Sequence, residues 1–157
     1  MRLFTYALLA IALCATLPAQ CSISGFNFSS YGTGCTFTAQ PAPTLTGSFN
    51  AAACELDLTL TKSISCCNTF LQSRVLIIST NQAFHGLPAL GPTCTLLVVP
   101  DLVMVAPPTS PDTISFDVPP GLPPGITIYA QGANIFFTTI GLTTDIELSN
   151  GLEFTTF

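Results

Sequence analysis

Tryptophan is absent from this chain, His85 is its only imidazole, and its cations are limited to Arg2, Lys62 and Arg74. Each shortage removes a class of function. Three cations against eight carboxylates offer no basic patch to displace the counterions of nucleic acid or to hold an anionic bilayer, so neither is a predicted partner. A hydrolytic nucleophile needs a base within reach, and one histidine without any G-x-S-x-G turn supplies no such pair. Glycine-rich phosphate loops and redox C-x-x-C pairs are missing too, and no cofactor is predicted. Charge as a whole is scarce: 7% of residues are charged and 48% are hydrophobic. A disordered chain shows the reverse balance, so this one folds. Its solubility rests on Thr, Ser, Asn and Gln, or on burial against a partner.

The N-terminus carries the parts of a secretory signal peptide in order: Arg2, an apolar run from Leu3 to Leu17, a break at Pro18, and the small residue Ala19. Residues 1–19 read as that leader and 20–157 as a single domain, which predicts a secreted protein, extracellular or periplasmic. The apolar run is shorter than the roughly 20 residues a spanning helix needs. Later apolar stretches are cut by Pro and Gly, so no membrane span is expected. Lipid attachment at Cys21 is the rival reading, disfavoured by Gln20 before it and by the odd thiol it would leave.

Cys14 leaves with the leader, and the remaining Cys21, Cys35, Cys54, Cys66, Cys67 and Cys94 are disulfide candidates of open connectivity. Zinc is the alternative for such a set, but the spacing lacks a ligand pair and histidine is nearly absent, so no metal site is predicted. Adjacent Cys66 and Cys67 point to opposite sides of an extended chain and would reach different partners.

Cys54-Glu-Leu-Asp-Leu-Thr-Leu-Thr61 alternates with a period of two, Leu56, Leu58 and Leu60 on one face and Glu55, Asp57 and Thr59 on the other. Ile114, Phe116 and Val118 repeat the pattern. Such half-wet strands belong to antiparallel sheets whose dry face must be covered, and no long amphipathic helix is present to cover it. The predicted fold is all-β: an antiparallel two-sheet sandwich, jelly-roll or Ig-like, stapled by disulfides. Phe26 to Ser29 reads as an opening strand and contains the glycosylation sequon Asn27-Phe28-Ser29. Leu45 to Phe49 reads as an edge strand, and Val75 to Ile78 as a central strand buried on both faces. Gly and Pro make a long loop of Asn81 to Pro92, with His85 inside it, and Gly132 separates two strands, Ile126–Ala130 and Ile135–Ile140. Pro119 to Gly125 is a stiff crossing.

At the C-terminus, Ser149-Asn150-Gly151 reads as a three-residue hairpin loop that sets Glu147 opposite Glu153. Like charges so placed need either a bound cation or loose pairing, and loose pairing is preferred. Paired carboxylates could serve a glycosidase, and Glu55 with Asp57 or Asp145 with Glu147 share strand faces at spacing two. Outward-facing acids on wet strands are the simpler account. A sugar platform would fall to Tyr31, Tyr129 or phenylalanines.

Through Tyr31-Gly32-Thr33-Gly34-Cys35, Gly91-Pro92-Thr93-Cys94-Thr95-Leu96, Ile128-Tyr129-Ala130-Gln131 and Ser149-Asn150-Gly151-Leu152, in that order, the chain resembles a largely uncharacterised family of secreted β-sandwich domains common in planctomycete bacteria. The resemblance implies an exported module often joined to other extracellular parts, with no catalytic residue to carry over. It also implies a disulfide between Cys35 and Cys94, while Cys54, Cys66 and Cys67 depart from the usual pattern. The expected function is non-enzymatic, structural or adhesion-type, at the cell surface or in the extracellular matrix, with surface proteins, glycans or copies of itself as partners. A carbohydrate-binding module is the alternative, and a small hydrolase using Asp145, Glu147 and Glu153 is the least favoured.

Overall fold

The computed structural model describes residues 21–37, 41–61, 69–109, 112–138 and 143–157. The leader 1–19, Lys62, Cys66 and Cys67 lie outside them. The described residues contain strands β1 (Phe26–Tyr31), β2 (Leu45–Asn50), β3 (Glu55–Leu60), β4 (Thr69–Ser79), β5 (Gln82–Gly86), β6 (Thr95–Val98), β7 (Leu102–Ala106), β8 (Thr113–Asp117), β9 (Thr127–Thr138) and β10 (Thr143–Thr156), and no helix. One sheet has the order β1-β10-β9-β4-β7, a second β2-β3-β8, and β5 pairs with β6 alone. All pairings are antiparallel.

Alternation in β3 decides how the sheets face each other. Leu56, Leu58 and Leu60 are buried against Leu76, Ala130, Leu152 and Phe154 of the large sheet, with Leu45, Phe26 and Val118 completing the interior. The opposite face of the large sheet is dry as well. The β5–β6 pair lies over it, packing Leu97 and Val98 on Ile77, while Cys35 and Cys94 pack with Ala133 and Leu148. Val75 to Ile78 is thus covered from both sides, as its unbroken apolar run requires.

Two disulfides join the layers, Cys21 to Cys54 and Cys35 to Cys94. Cys54 ends the β2–β3 turn in the left-handed region, φ 56°, and Asn50 Oδ1 accepts from the amides of Ala52 and Ala53 to shape that turn. Disulfides persist in oxidising compartments, which is where this fold belongs. Among the described residues no helix is long and apolar enough to cross a membrane.

Three expectations need correction. The stretch from Asn81 holds a strand, β5, in which a register shift between Gln82 and His85 interrupts the alternation that would have revealed it. Gly132 does not divide two strands: β9 runs straight through it, because a side chain there would collide with Leu60 of the facing sheet, whose Cδ1 lies 2.5 Å from where a Cβ would be. Ser149-Asn150-Gly151 is not a hairpin loop either. It is a bulge inside the continuous strand β10, where one extra residue shifts the register against β9 between Leu148 and Gly151. The extra residue swaps faces, so Leu148 packs with the β5–β6 side and Leu152 with the opposite side.

Candidate functional site

The bulge parts Glu147 from Glu153, whereas Asp145 and Glu147 lie before it in unbroken register and share a face, Glu147 buried and Asp145 half-buried. Glu147 pairs in register with Asn134 and Glu153 with Tyr129; the two are six apart in sequence, but the extra residue of the bulge between them puts them on opposite faces. Glu147 and Glu153 therefore share neither a cation nor a substrate. Glu55 stands opposite Asp117, and Asp57 Oδ1 accepts from Ser115 Oγ at 2.5 Å, all on the outer side of the small sheet. His85 is exposed on β5, level with Leu96. No group of three or more His, Cys, Asp or Glu placed to hold a metal occurs among the described residues.

Sequence reasoning missed a polar row across the large sheet. Arg74, Asn134 and Glu147 are register neighbours on β4, β9 and β10, and all three are buried. Arg74 Nη2 lies 2.6 Å from Asp112 Oδ1, and Asn134 Nδ2 donates to the Thr61 carbonyl at 3.3 Å. A buried guanidinium requires such partners, because its desolvation is otherwise uncompensated. Only the isolated Arg74 before an apolar run hinted at the row.

Two surfaces remain that could meet another molecule. On one face of the large sheet, Tyr31 packs edge-on against Tyr129, ring centroids 6.0 Å apart, and against Phe84 at 6.4 Å. Tyr31 Oη donates to the Leu97 carbonyl at 3.0 Å. Its phenol is pushed up to about 12, first by burial and then by Tyr129 and Glu153. Phe84 is 72% exposed, and Glu153 stands opposite Tyr129. Phe84 was not legible as a site residue, because the β5 bulge that turns it outward has no sequence signature.

The second surface is the edge strand β7. Leu102-Val-Met-Val-Ala106 pairs with β4 on one side, and among the described residues nothing pairs with the other. Leu102, Val103 and Val105 are 51%, 49% and 68% exposed. Edge strands elsewhere in the two larger sheets differ. Asn27, Ser29 and Ser30 are exposed on β1, Thr46, Ser48 and Asn50 on β2, and Ser115 and Asp117 on β8. Those edges carry polar groups that keep water on them, whereas β7 carries none between Asp101 and Pro107.

No family model, no curated protein and no solved structure matches this chain.

Proposed function

We propose that this protein is a non-catalytic exported module that works by association, at the cell surface or in the extracellular matrix, with β7 as its contact. The apolar free edge carries this reading. Pairing β7 antiparallel with β7 of a second copy about Met104 places Val103 against Val105 twice and Leu102 against Ala106, and no charge opposes another. Cross-strand aliphatic pairs of this kind contribute roughly 0.2–1 kcal/mol each, on top of the ladder of backbone hydrogen bonds. The separation of Glu147 from Glu153 and the exposed position of His85 support the non-catalytic part. Export is supported by the leader-like residues 1–19 and the two disulfides, and the resemblance to secreted planctomycete domains agrees with it.

Sedimentation velocity tests this over a concentration series. The expected result is a reversible dimer that Val103→Lys with Val105→Lys converts to monomer, circular dichroism unchanged. A monomer at every concentration would overturn self-association.

One observation favours a second reading, glycan binding at the aromatic face. Exposed Phe84 and half-buried Tyr129 both pack on Tyr31, and Glu153 stands in register with Tyr129, which combines a stacking surface with a hydrogen-bond acceptor. A glycan array should then show signals that vanish with Phe84→Ala or Tyr129→Ala. Silence across the array would remove this reading and leave the first intact.

A further inference from the structure

Glu153 stands on the face of the large sheet turned away from the small one, because its neighbours Leu152 and Phe154 on β10 both enter the core between the two sheets. Tyr31 and Tyr129 share that face, packed on the cluster of Ile77, Leu97 and Val98. The register sets them around Glu153. It pairs with Ser29 of β1 on one side and with Tyr129 of β9 on the other, which puts their Cβ atoms about 4.5–5.5 Å from its own. Tyr31 pairs with Gly151, the preceding β10 residue on the same face, and its ring lies over the space that this glycine leaves. The two tyrosine rings stand at 88° to each other. Together they make a corner with a carboxylate beside it, and the bond from Tyr31 Oη to the Leu97 carbonyl fixes one wall in advance.

Charge in this corner is unbalanced. Glu153 is half-buried, and among the described residues neither a hydrogen bond nor a cation reaches its carboxylate. Its field is felt nonetheless, being one of the influences that push the Tyr31 phenol up. A second acid lies beyond Tyr129, whose other register neighbour, Ser79, donates to Asp101 Oδ2. Arg74, the one lysine or arginine among the described residues, is buried beside Asp112 and lies with Leu76 on the opposite face. A carboxylate partly withdrawn from water and left without a counter-ion is costly, and a bound cation removes that cost.

The walls say which cation. Aromatic faces attract positive charge, most of all where the cation gives up its water readily, as a methylated ammonium does. An anion is repelled here, and a neutral sugar stacked on exposed Phe84 would leave the carboxylate unbalanced. A compact head meets both rings and the carboxylate at once. We propose that this corner binds the methylated ammonium head of a small organic cation, with Tyr31 and Tyr129 as walls and Glu153 as counter-ion. The site is independent of β7, and it does not rest on the glycan reading although it shares Tyr129 with it.

Choline and its uncharged tert-butyl isostere, in which carbon replaces the nitrogen, serve as probes. Each is titrated into the disulfide-bonded protein and followed through the ring resonances of Tyr129 and the amide of Glu153. The expected result is saturable shifts with choline that weaken in salt, and binding roughly tenfold weaker for the isostere. Butylammonium, the end of a lysine side chain, should bind several-fold more weakly than choline, because its head is more strongly hydrated. Glu153→Gln keeps the shape and should lower choline affinity to that of the isostere, and Tyr129→Leu should weaken it as well, with circular dichroism unchanged in both. Choline shifts that do not saturate, choline no tighter than its isostere, butylammonium as tight as choline, or binding undiminished by Glu153→Gln would each overturn the proposal. Glycan-array signals alongside a silent choline titration would remove this site and leave the glycan reading standing.

Discussion

Gln131 has no exposure and yet all its polar atoms are used: Oε1 accepts from the Leu97 amide at 2.8 Å, and Nε2 donates to the carbonyls of Thr95 at 3.1 Å and Ser149 at 3.0 Å. One side chain thus holds β6 to the large sheet and to the β10 bulge. Gln131→Leu keeps the shape and strands three backbone groups in the interior, a loss of about 2–4 kcal/mol given roughly 1–3 kcal/mol for each buried group left unsatisfied and partial relaxation around it. Chemical denaturation measures it, and a loss below about 1 kcal/mol would mean that water replaces the amide. Tyr31 makes a separate prediction about pH. Its folded pKa is raised from 10 to about 12, so its stabilising contribution is whole below pH 10 and is lost as pH climbs through about 12. Stability should fall over that window in the natural protein and fall less in Tyr31→Phe. Tyrosinate absorbance should show one of the two tyrosines of residues 20–157 titrating late.

At the scale of elements, the bulge of β10 does what an uninterrupted strand could not. Asn150 turns toward the small sheet, where Oδ1 accepts from the Leu45 amide at 2.9 Å and Nδ2 donates to the Leu45 carbonyl at 3.2 Å. Ser149 Oγ turns back to accept from the Gly132 amide at 2.8 Å. The ring of Tyr31 covers Gly151, where a Cβ would collide with it. Asn150→Ala removes the tie between β10 and β2 and should cost about 1–3 kcal/mol, with amide exchange rising first along β2. Uniform exchange across both sheets would contradict this local role. Strands β3 and β8 were legible because each has one wet and one dry face, which alternation reports directly. Strand β9 was not, since its break at Gly132 is written for Leu60 of a facing strand more than 70 residues earlier. The bulge was misread for a related reason: Ser-Asn-Gly is turn chemistry whether the chain reverses or only steps sideways.

Over the whole molecule, the antiparallel sandwich and the disulfide chemistry could be read from composition and period, while the third layer formed by β5 and β6 could not. That layer rests on contacts with Ile77 and Gln131 that no local pattern encodes. Cys35 and Cys94, the pair the resemblance implied, are bonded across it, and Cys21 with Cys54 could not have been chosen from spacing. The exposed edge was the least legible feature, because Leu102-Val-Met-Val-Ala106 looks the same in sequence whether it is central or marginal. Its position at the end of the β1-β10-β9-β4-β7 order turns an ordinary apolar strand into an exposed template. Hydrogen exchange of the β7 amides not bonded to β4, recorded across protein concentrations with the disulfides intact, tests association through this edge most directly. Protection that grows with concentration and is lost on Val103→Lys with Val105→Lys is the result predicted; amides that exchange freely at every concentration would contradict it.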